Sequence, residues 1–136
     1  MDEKKILLVN LSKGLLGEKN ANLLGLVIIG KLQMAAMSRA ESADLSGFAP
    51  FYVYLDEFQN VVTDSIAAIL SEARQYKLSL NMPPQYLGQL PDSIKGAVFG
   101  NVGSMGIFRI NDEDAKAIEP RISPQFSKDD ILKQDN

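Results

Sequence analysis

Short apolar runs and longer amphipathic segments alternate along this chain, and the change between them predicts its elements. Runs rich in β-branched, leucine and aromatic residues are typical of strands when polar, glycine or proline residues bound them. The predicted strands are Lys5–Asn10, Phe51–Leu55, Leu78–Met82 and Ser104–Ile110. Prolines 83 and 84 end the third of these, because proline has no N–H to donate to a central ladder.

Helices are predicted between the strands. The segment over residues 63–76 begins at a capping residue, Thr63. Its apolar positions share one helical stripe, made of Ile66, Ile69, Leu70 and Ala73. The other predicted helices are Asn20–Glu41, Pro91–Phe99, Asp112–Ile118 and a helix or tail past Ser127. Strands that alternate with helices indicate an α/β domain whose mostly parallel sheet is flanked by helices.

Two connectors complete the predicted order. Ser12–Gly17 carries two glycines and is predicted to be a loop, and the small polar residues of Ser42–Pro50 predict a second loop. The whole chain has 136 residues, so a single domain over 1–136 is expected.

Composition narrows the chemistry. The chain has no cysteine and no histidine, which excludes thiol nucleophiles, thiolate metal sites, Ser-His systems and the commonest zinc ligand. Carboxylates with magnesium remain possible. The formal charge of −3 and pI near 4.9 leave no global basic surface for nucleic acid, so any DNA contact must be local.

A cytoplasmic location is expected, because the charged N-terminus runs into a strand-like segment with no signal-peptide pattern. The apolar stretch Leu23–Ile29 is shorter than the roughly 20 residues that a membrane span requires. It is interpreted as part of a core helix, with no membrane segment in the chain.

Two adjacent acids, Asp56 and Glu57, directly follow the strand over Phe51–Leu55. An apolar strand that ends in such a pair is the pattern of a Walker B element. The acids would lie at the carboxyl edge of a parallel sheet, where ligand chemistry concentrates. The same pair is also compatible with a polar loop or with the first turn of a helix, where acids complement the dipole.

No phosphate-binding loop of the form G-x-x-x-x-G-K-[ST] occurs in the chain. The segment that matches this motif best is Gly25–Leu32, but it ends in leucine where the motif needs a hydroxyl residue. The four residues between its glycines, Leu-Val-Ile-Ile, are typical of a packed core. The segment is therefore interpreted as structural helix. A second glycine cluster, Gly100–Gly106, follows a helix and precedes a strand, the reverse of the order in a phosphate loop. It predicts a tight turn with positive φ.

Five segments in this order resemble the FtsK/HerA superfamily of DNA-pumping ATPases, and most closely the conjugative coupling proteins of the TraG/TraD kind. They are Leu8–Gly17, Asp56–Asn60, Leu70–Arg74, Gln85–Gln89 and Gly100–Gly103. The resemblance extends from Lys5 to about Ile131. It implies a partial RecA-like P-loop NTPase domain that holds the Walker B and sensor half, with the phosphate-loop strand expected upstream of Lys5.

The resemblance also implies roles for individual residues. Asp56 would hold Mg²⁺ and Glu57 would activate the attacking water, while Gln85 would sense the γ-phosphate. Arg74 and Arg109 would stabilise transition-state charge from a neighbouring subunit, or else form plain salt bridges. The prolines before Gln85 depart from the family pattern and stiffen the approach to this residue.

The intact family domain uses ATP and Mg²⁺, forms a hexameric ring and drives DNA. This chain alone is expected to be inactive and to bind neither cofactor well. Its missing strand would lie between the strands at 78–82 and 104–110, so these two are expected to pair directly or to accept another copy, as a rearranged sheet or a dimer. The alternatives are a non-catalytic α/β interaction module and, ranked lowest, a free-standing carboxylate and metal hydrolase.

Overall fold

The computed structural model describes residues 1–42, 44–61 and 64–134. Its described part contains a two-stranded parallel sheet made of β1 (Phe51–Tyr54) and β2 (Leu78–Asn81). Phe51 lies opposite Leu78 and Tyr54 lies opposite Asn81. Successive side chains of a strand point to opposite faces, so β1 buries Val53 on one face and exposes Tyr52 and Tyr54 on the other.

Helices and 3₁₀ turns make up most of the remaining described residues. The helices are α1 (Lys13–Leu16), α2 (Glu18–Met37), α3 (Asp64–Glu72), α4 (Asp92–Asn101), α5 (Asp112–Ile122) and α6 (Lys128–Leu132). Of these, α2 and α3 pack against one face of the sheet. Four 3₁₀ turns accompany the helices, at Ser38–Glu41, Phe58–Val61, Ala73–Tyr76 and Leu87–Gln89. The α/β class is therefore present, and the predicted helices are found with ends shifted by a few residues. The capping role predicted for Thr63 and the stripe position of the Ala73 side chain lie outside the described residues.

Two of the four predicted strands are wrong. Residues 5–10 and 104–110 carry the expected apolar residues, yet neither segment is paired as a strand. A strand exists only where a neighbour accepts and donates its backbone hydrogen bonds, and apolar character alone does not supply that neighbour. The direct pairing expected between the segments at 78–82 and 104–110 is also absent from the described part, so the sheet is smaller than predicted.

The predicted loop over Ser12–Gly17 is partly wrong, because it contains α1. The carbonyl of Ser12 accepts the N–H groups of Leu15 and Leu16 at 3.1 and 3.0 Å, which closes one helical turn. Gly17 ends the turn with a φ of 76°, a conformation that glycine adopts without steric penalty. The tight turn with positive φ predicted at Gly100–Gly106 is wrong too, since Gly17 alone among the described glycines has positive φ.

The core lies between the sheet and the helices on one side of it. Its main cluster joins α2, α3 and both strands through Ile29, Ala36, Val53, Ile66, Ile69 and Leu78. A second cluster connects the turn after β1 to α4 through Phe58, Leu90 and Ile94. The elements in these two clusters pack against one face of the sheet, and the opposite face stays open at Tyr52 and Tyr54.

Helix α2 is apolar on more than one face. Ala21, Gly25 and Ile29 are buried against the rest of the chain, whereas Leu23 and Val27 are exposed. The span Glu18–Glu41 is long and apolar enough to cross a membrane by length and composition, a test that core helices of soluble proteins also pass. The segment Gly25–Leu32 lies inside this helix, as the sequence predicted for the imperfect phosphate loop.

Gly25 of α2 is in a crowded position and Gly30 of the same helix is in an open one. Replacing each with alanine therefore tests the packing of the helix with an internal control. A Cβ at Gly25 would lie 2.5 Å from Cγ1 of Val61, whereas nothing lies within 4 Å of a Cβ at Gly30. We expect Gly25→Ala to lower the free energy of unfolding by about 1–2 kcal/mol through overpacking. Gly30→Ala should raise it by about 0.5–1 kcal/mol, because alanine is the better helix former. Urea denaturation of both variants measures the difference, and equal effects would contradict the packing described for Gly25.

Candidate functional site

The acid pair lies at the carboxyl end of β1. The ladder continues to Leu55, whose N–H donates to the carbonyl of Asn81 at 2.9 Å, and the chain then turns away from the sheet. The turn is sharp because Glu57 has a φ of 48°, in the left-handed region that non-glycine residues seldom occupy. Asp56 Oδ1 accepts the N–H of Glu57 at 3.0 Å, and both carboxylates are exposed at this edge. Such backbone strain concentrates at functional sites.

The carboxylate of Glu57 is contacted by three side chains from separate segments. Gln85 Nε2 donates to Oε1 at 3.4 Å, and Asn60 Nδ2 donates to Oε2 at 3.1 Å. Lys13 Nζ lies 3.9 Å from Oε2. Each oxygen of this exposed acid therefore has a polar neighbour. The structure thus brings Asp56, Glu57 and Gln85 together at one edge, and the two prolines before Gln85 do not prevent this contact.

The two candidate arginines lie in different places. Arg109 lines an open cavity of about 500 Å³ together with Gln85, Tyr86, Ile110 and Asn111. Arg74 lies in the turn that precedes β2, at the amino edge of the sheet and therefore opposite the acids. The structure groups Arg109 with the glutamine of its own chain and separates Arg74 from the acid pair.

Asp114 fixes the loop that follows Gln85, a role that sequence reasoning missed. The side chain is 5% exposed, and its Oδ2 accepts the N–H of Leu87 at 3.1 Å and Nδ2 of Asn111 at 3.3 Å. Asn111 caps α5 by accepting the N–H of Asp114 at 2.8 Å. The sequence alone could have predicted the cap, because an Asn three residues before an Asp at a helix start is a capping signal. It could not have predicted the hydrogen bond to Leu87, because Leu87 lies 27 residues away.

The first turn of α5 is acidic but partly neutralised by lysines. Hydrogen bonds from Lys116 and Lys128 lower the pKa of Asp112 to about 2. Their Nζ atoms lie 2.7 and 2.6 Å from the two carboxylate oxygens of Asp112. The two lysines therefore offset the negative charge of Asp112. Asp112 directly follows Asn111, which lines the same cavity as Arg109.

Lys13 is the second residue that sequence reasoning missed. It follows the first apolar run and belongs to α1, yet it lies beside an acid 44 positions further along the chain. The only local sign of a role for Lys13 is its place in a Ser-Lys-Gly turn after an apolar run. This pattern does not indicate that Glu57 is its neighbour. Lys13, Asp56 and Glu57 line the same open slot of about 970 Å³, together with the rest of residues 4–13, part of α2 and β1.

The donor set is too small for a metal held by protein alone. No group of three or more acidic, histidine or cysteine side chains is close enough to hold an ion in the described ranges. Asp56 and Glu57 provide two carboxylates, which suits Mg²⁺, an ion that keeps several waters and takes further oxygens from substrate phosphates. The residues present therefore fit a magnesium ion that arrives with a nucleotide.

Comparison with known proteins adds no family assignment: the chain matches no family model, no curated protein and no solved structure.

Proposed function

We propose that this chain is the Walker B and sensor part of an ATP-driven DNA-translocating motor domain, a partial RecA-like domain of the FtsK/HerA kind. The observation that carries the proposal is the contact between Glu57 and Gln85 at the carboxyl edge of two adjacent parallel strands. The resemblance to the FtsK/HerA superfamily implies that the acid after β1 and the glutamine that follows β2 act on the same γ-phosphate. Glu57 and Gln85 are 28 positions apart in the sequence and lie in contact at that edge, which supports the proposal.

Each residue has a distinct role in this proposal. Asp56 would hold a water-coordinated Mg²⁺, which supplies charge neutralisation for the phosphates when bound. Glu57 accepts a proton from the attacking water, and Gln85 and Asn60 orient its carboxylate. Arg109 acts on the nucleotide of its own chain, because it lines the cavity beside Gln85. Arg74 would serve only a neighbouring subunit.

The open architecture also supports the proposal. Parallel sheets normally have both faces covered by helices, yet here Tyr52 and Tyr54 are 58% and 76% exposed. An upstream strand and helix that carry the phosphate loop would extend the sheet beyond β2 and cover that face. The complete motor would assemble as a ring on DNA in the cytoplasm, and this chain alone would bind ATP weakly.

The test is to join an upstream strand, G-x-x-x-x-G-K-[ST] loop and helix to the chain and to measure ATP hydrolysis. We expect activity to appear, and Glu57→Gln to lower kcat by about 100-fold or more because the general base is lost. Glu72→Gln is the matched control, since Glu72 is exposed on α3 and distant in sequence from the acid pair. Activity that survives Glu57→Gln, or that never appears in any joined form, would contradict the motor.

A second candidate function is a non-catalytic interaction module. The observation that favours it is the number of large apolar side chains at the surface: Ile6 and Leu8 are 87% and 89% exposed, and Tyr52 and Tyr54 are 58% and 76% exposed. In this alternative Asp56 and Glu57 are exposed surface residues without a role in catalysis. A chain that stays inactive with the phosphate loop restored, and still associates through this surface, supports the module.

A further inference from the structure

The contact between Gln85 and Glu57 is long and therefore sensitive to small movements. Gln85 Nε2 donates to Oε1 of Glu57 at 3.4 Å, whereas most N–H···O hydrogen bonds measure about 2.7–3.2 Å. A shift of a few tenths of an ångström in the loop that carries Gln85 would break this bond. The contacts that hold the loop therefore decide whether the two side chains meet.

The loop is fixed on both sides of Gln85. Two prolines directly precede this residue, and the pyrrolidine ring of each restricts φ to a narrow range. Two residues after it, the N–H of Leu87 donates to Oδ2 of Asp114 at 3.1 Å, and the Leu87 side chain packs against the second core cluster. Only Tyr86 lies between Gln85 and Leu87, so the place of the glutamine follows from the place of Leu87.

Asp114 is the third residue of α5, a position from which an acid commonly closes a helix on its own cap. The third residue of α6, Asp130, does this, because its Oδ2 accepts the N–H of the capping residue Ser127 at 2.8 Å. In α5 the capping residue is Asn111, and Asp114 directs Oδ2 to the N–H of Leu87. The carboxylate of Asp114 thus joins two segments 27 residues apart.

The burial of Asp114 makes its hydrogen bonds necessary. Asp114 is 5% exposed and forms no ion pair within the described ranges. A buried carboxylate without a cation requires hydrogen-bond donors, and the Leu87 N–H and Asn111 Nδ2 supply them. The first turn of α5 adds the positive end of its dipole. If the loop moved, the carboxylate would lose a donor that it needs.

We infer that Asp114 is a positioning residue for Gln85: by holding the N–H of Leu87, it keeps the glutamine in contact with the carboxylate of Glu57. The path runs from α5 through the loop to the acid that follows β1. Asp114 acts as an acceptor oxygen rather than as a negative charge, because both groups that it holds are neutral N–H donors. The geometric role is independent of the proposed function, and only its consequence for hydrolysis rests on that function.

NMR spectroscopy of the intact chain tests the geometric role. In the unsubstituted protein we expect scalar coupling across the hydrogen bond between the Leu87 amide nitrogen and the side-chain carboxyl carbon of Asp114. Asp114→Ala should make the Leu87 amide exchange at least about 10-fold faster. It should also move the side-chain amide resonances of Gln85 toward their positions in an unstructured peptide. Asp114→Asn should change neither, because one acceptor oxygen remains for both donors.

Asp130→Ala is the matched control, because it removes the acid at the same helical position from α6. It should change neither the exchange of the Leu87 amide nor the resonances of Gln85. Absence of the coupling in the unsubstituted chain, a measurement that needs no variant to fold, would overturn the inference. Gln85 resonances that stay in place in Asp114→Ala, or that move as far in Asp114→Asn, would overturn it as well.

ATP hydrolysis by the chain joined to a phosphate loop tests the consequence for the reaction. Asp114→Ala should lower kcat about 10-fold and leave KM for ATP unchanged, because the misplaced glutamine acts after the nucleotide has bound. Asp114→Asn should retain most of the activity. If no joined form hydrolyses ATP, the motor is contradicted while the NMR result still decides the role of Asp114. An unchanged kcat with a displaced Gln85 would refute the consequence for hydrolysis and leave the motor standing.

Discussion

Replacing Arg39 with methionine is expected to lower the free energy of unfolding by about 3 kcal/mol, because it leaves buried polar groups without a partner. Arg39 is 2% exposed. Its NH1 donates to the carbonyl of Tyr76 at 2.6 Å and its NH2 to that of Ala49 at 3.3 Å, and the guanidinium lies 5.1 Å from the ring centroid of Phe48. Methionine fills the volume but satisfies neither carbonyl.

The measurement for Arg39→Met is urea denaturation followed by circular dichroism. Arg74→Met is the matched control, because the Arg74 side chain is exposed and the same atoms are removed. We expect this control to change stability by no more than about 0.5 kcal/mol. Similar losses in the two variants would show that the buried hydrogen bonds of Arg39 contribute little.

Phe58→Ala is expected to lower the free energy of unfolding by about 3–5 kcal/mol, the usual result of deleting a fully buried aromatic ring. Phe58 is 1% exposed and packs against Ile94 of α4 and against Leu90, which precedes that helix. It also directly follows Glu57, so its ring anchors the turn that holds Glu57 at positive φ. Loss of the ring should release that turn as well as open a cavity.

Thermal and urea denaturation measure the effect of Phe58→Ala, and the amide resonance of Glu57 reports on the turn. Phe108→Ala is the control, since that ring is 83% exposed and its removal should change stability by at most about 0.5 kcal/mol. A stable Phe58→Ala variant with an unmoved Glu57 resonance would contradict the anchoring role.

Local patterns were sufficient to predict α3 and the two strands that find a partner in the structure. The apolar stripe at Ile66 and Ile69 predicts α3, and both residues are buried in the structure. The runs at 51–55 and 78–82 predict β1 and β2, since each has a buried residue, Val53 or Leu78, and a partner to pair with. The juxtaposition of Glu57 and Gln85 follows from the same reasoning, because parallel strands end at a common edge.

The errors have a common physical origin in contacts between distant segments. Residues 5–10 and 104–110 have the composition of strands, but pairing depends on whether a neighbour is present, and composition does not encode that. Lys13, Arg39 and Asp114 were missed for the same reason. Each owes its position to a partner 27 or more residues away, and nothing in the flanking residues identifies that partner.

The register that places Phe51 opposite Leu78 has a kinetic consequence. Every rung of this ladder joins residues 27 positions apart, so the first rung must close a long loop before any later rung stabilises it. The helical turns, by contrast, form from neighbours within nanoseconds to microseconds. We therefore expect the rate of folding to be limited by the entropy of bringing two short strands together, with the separating helices formed earlier.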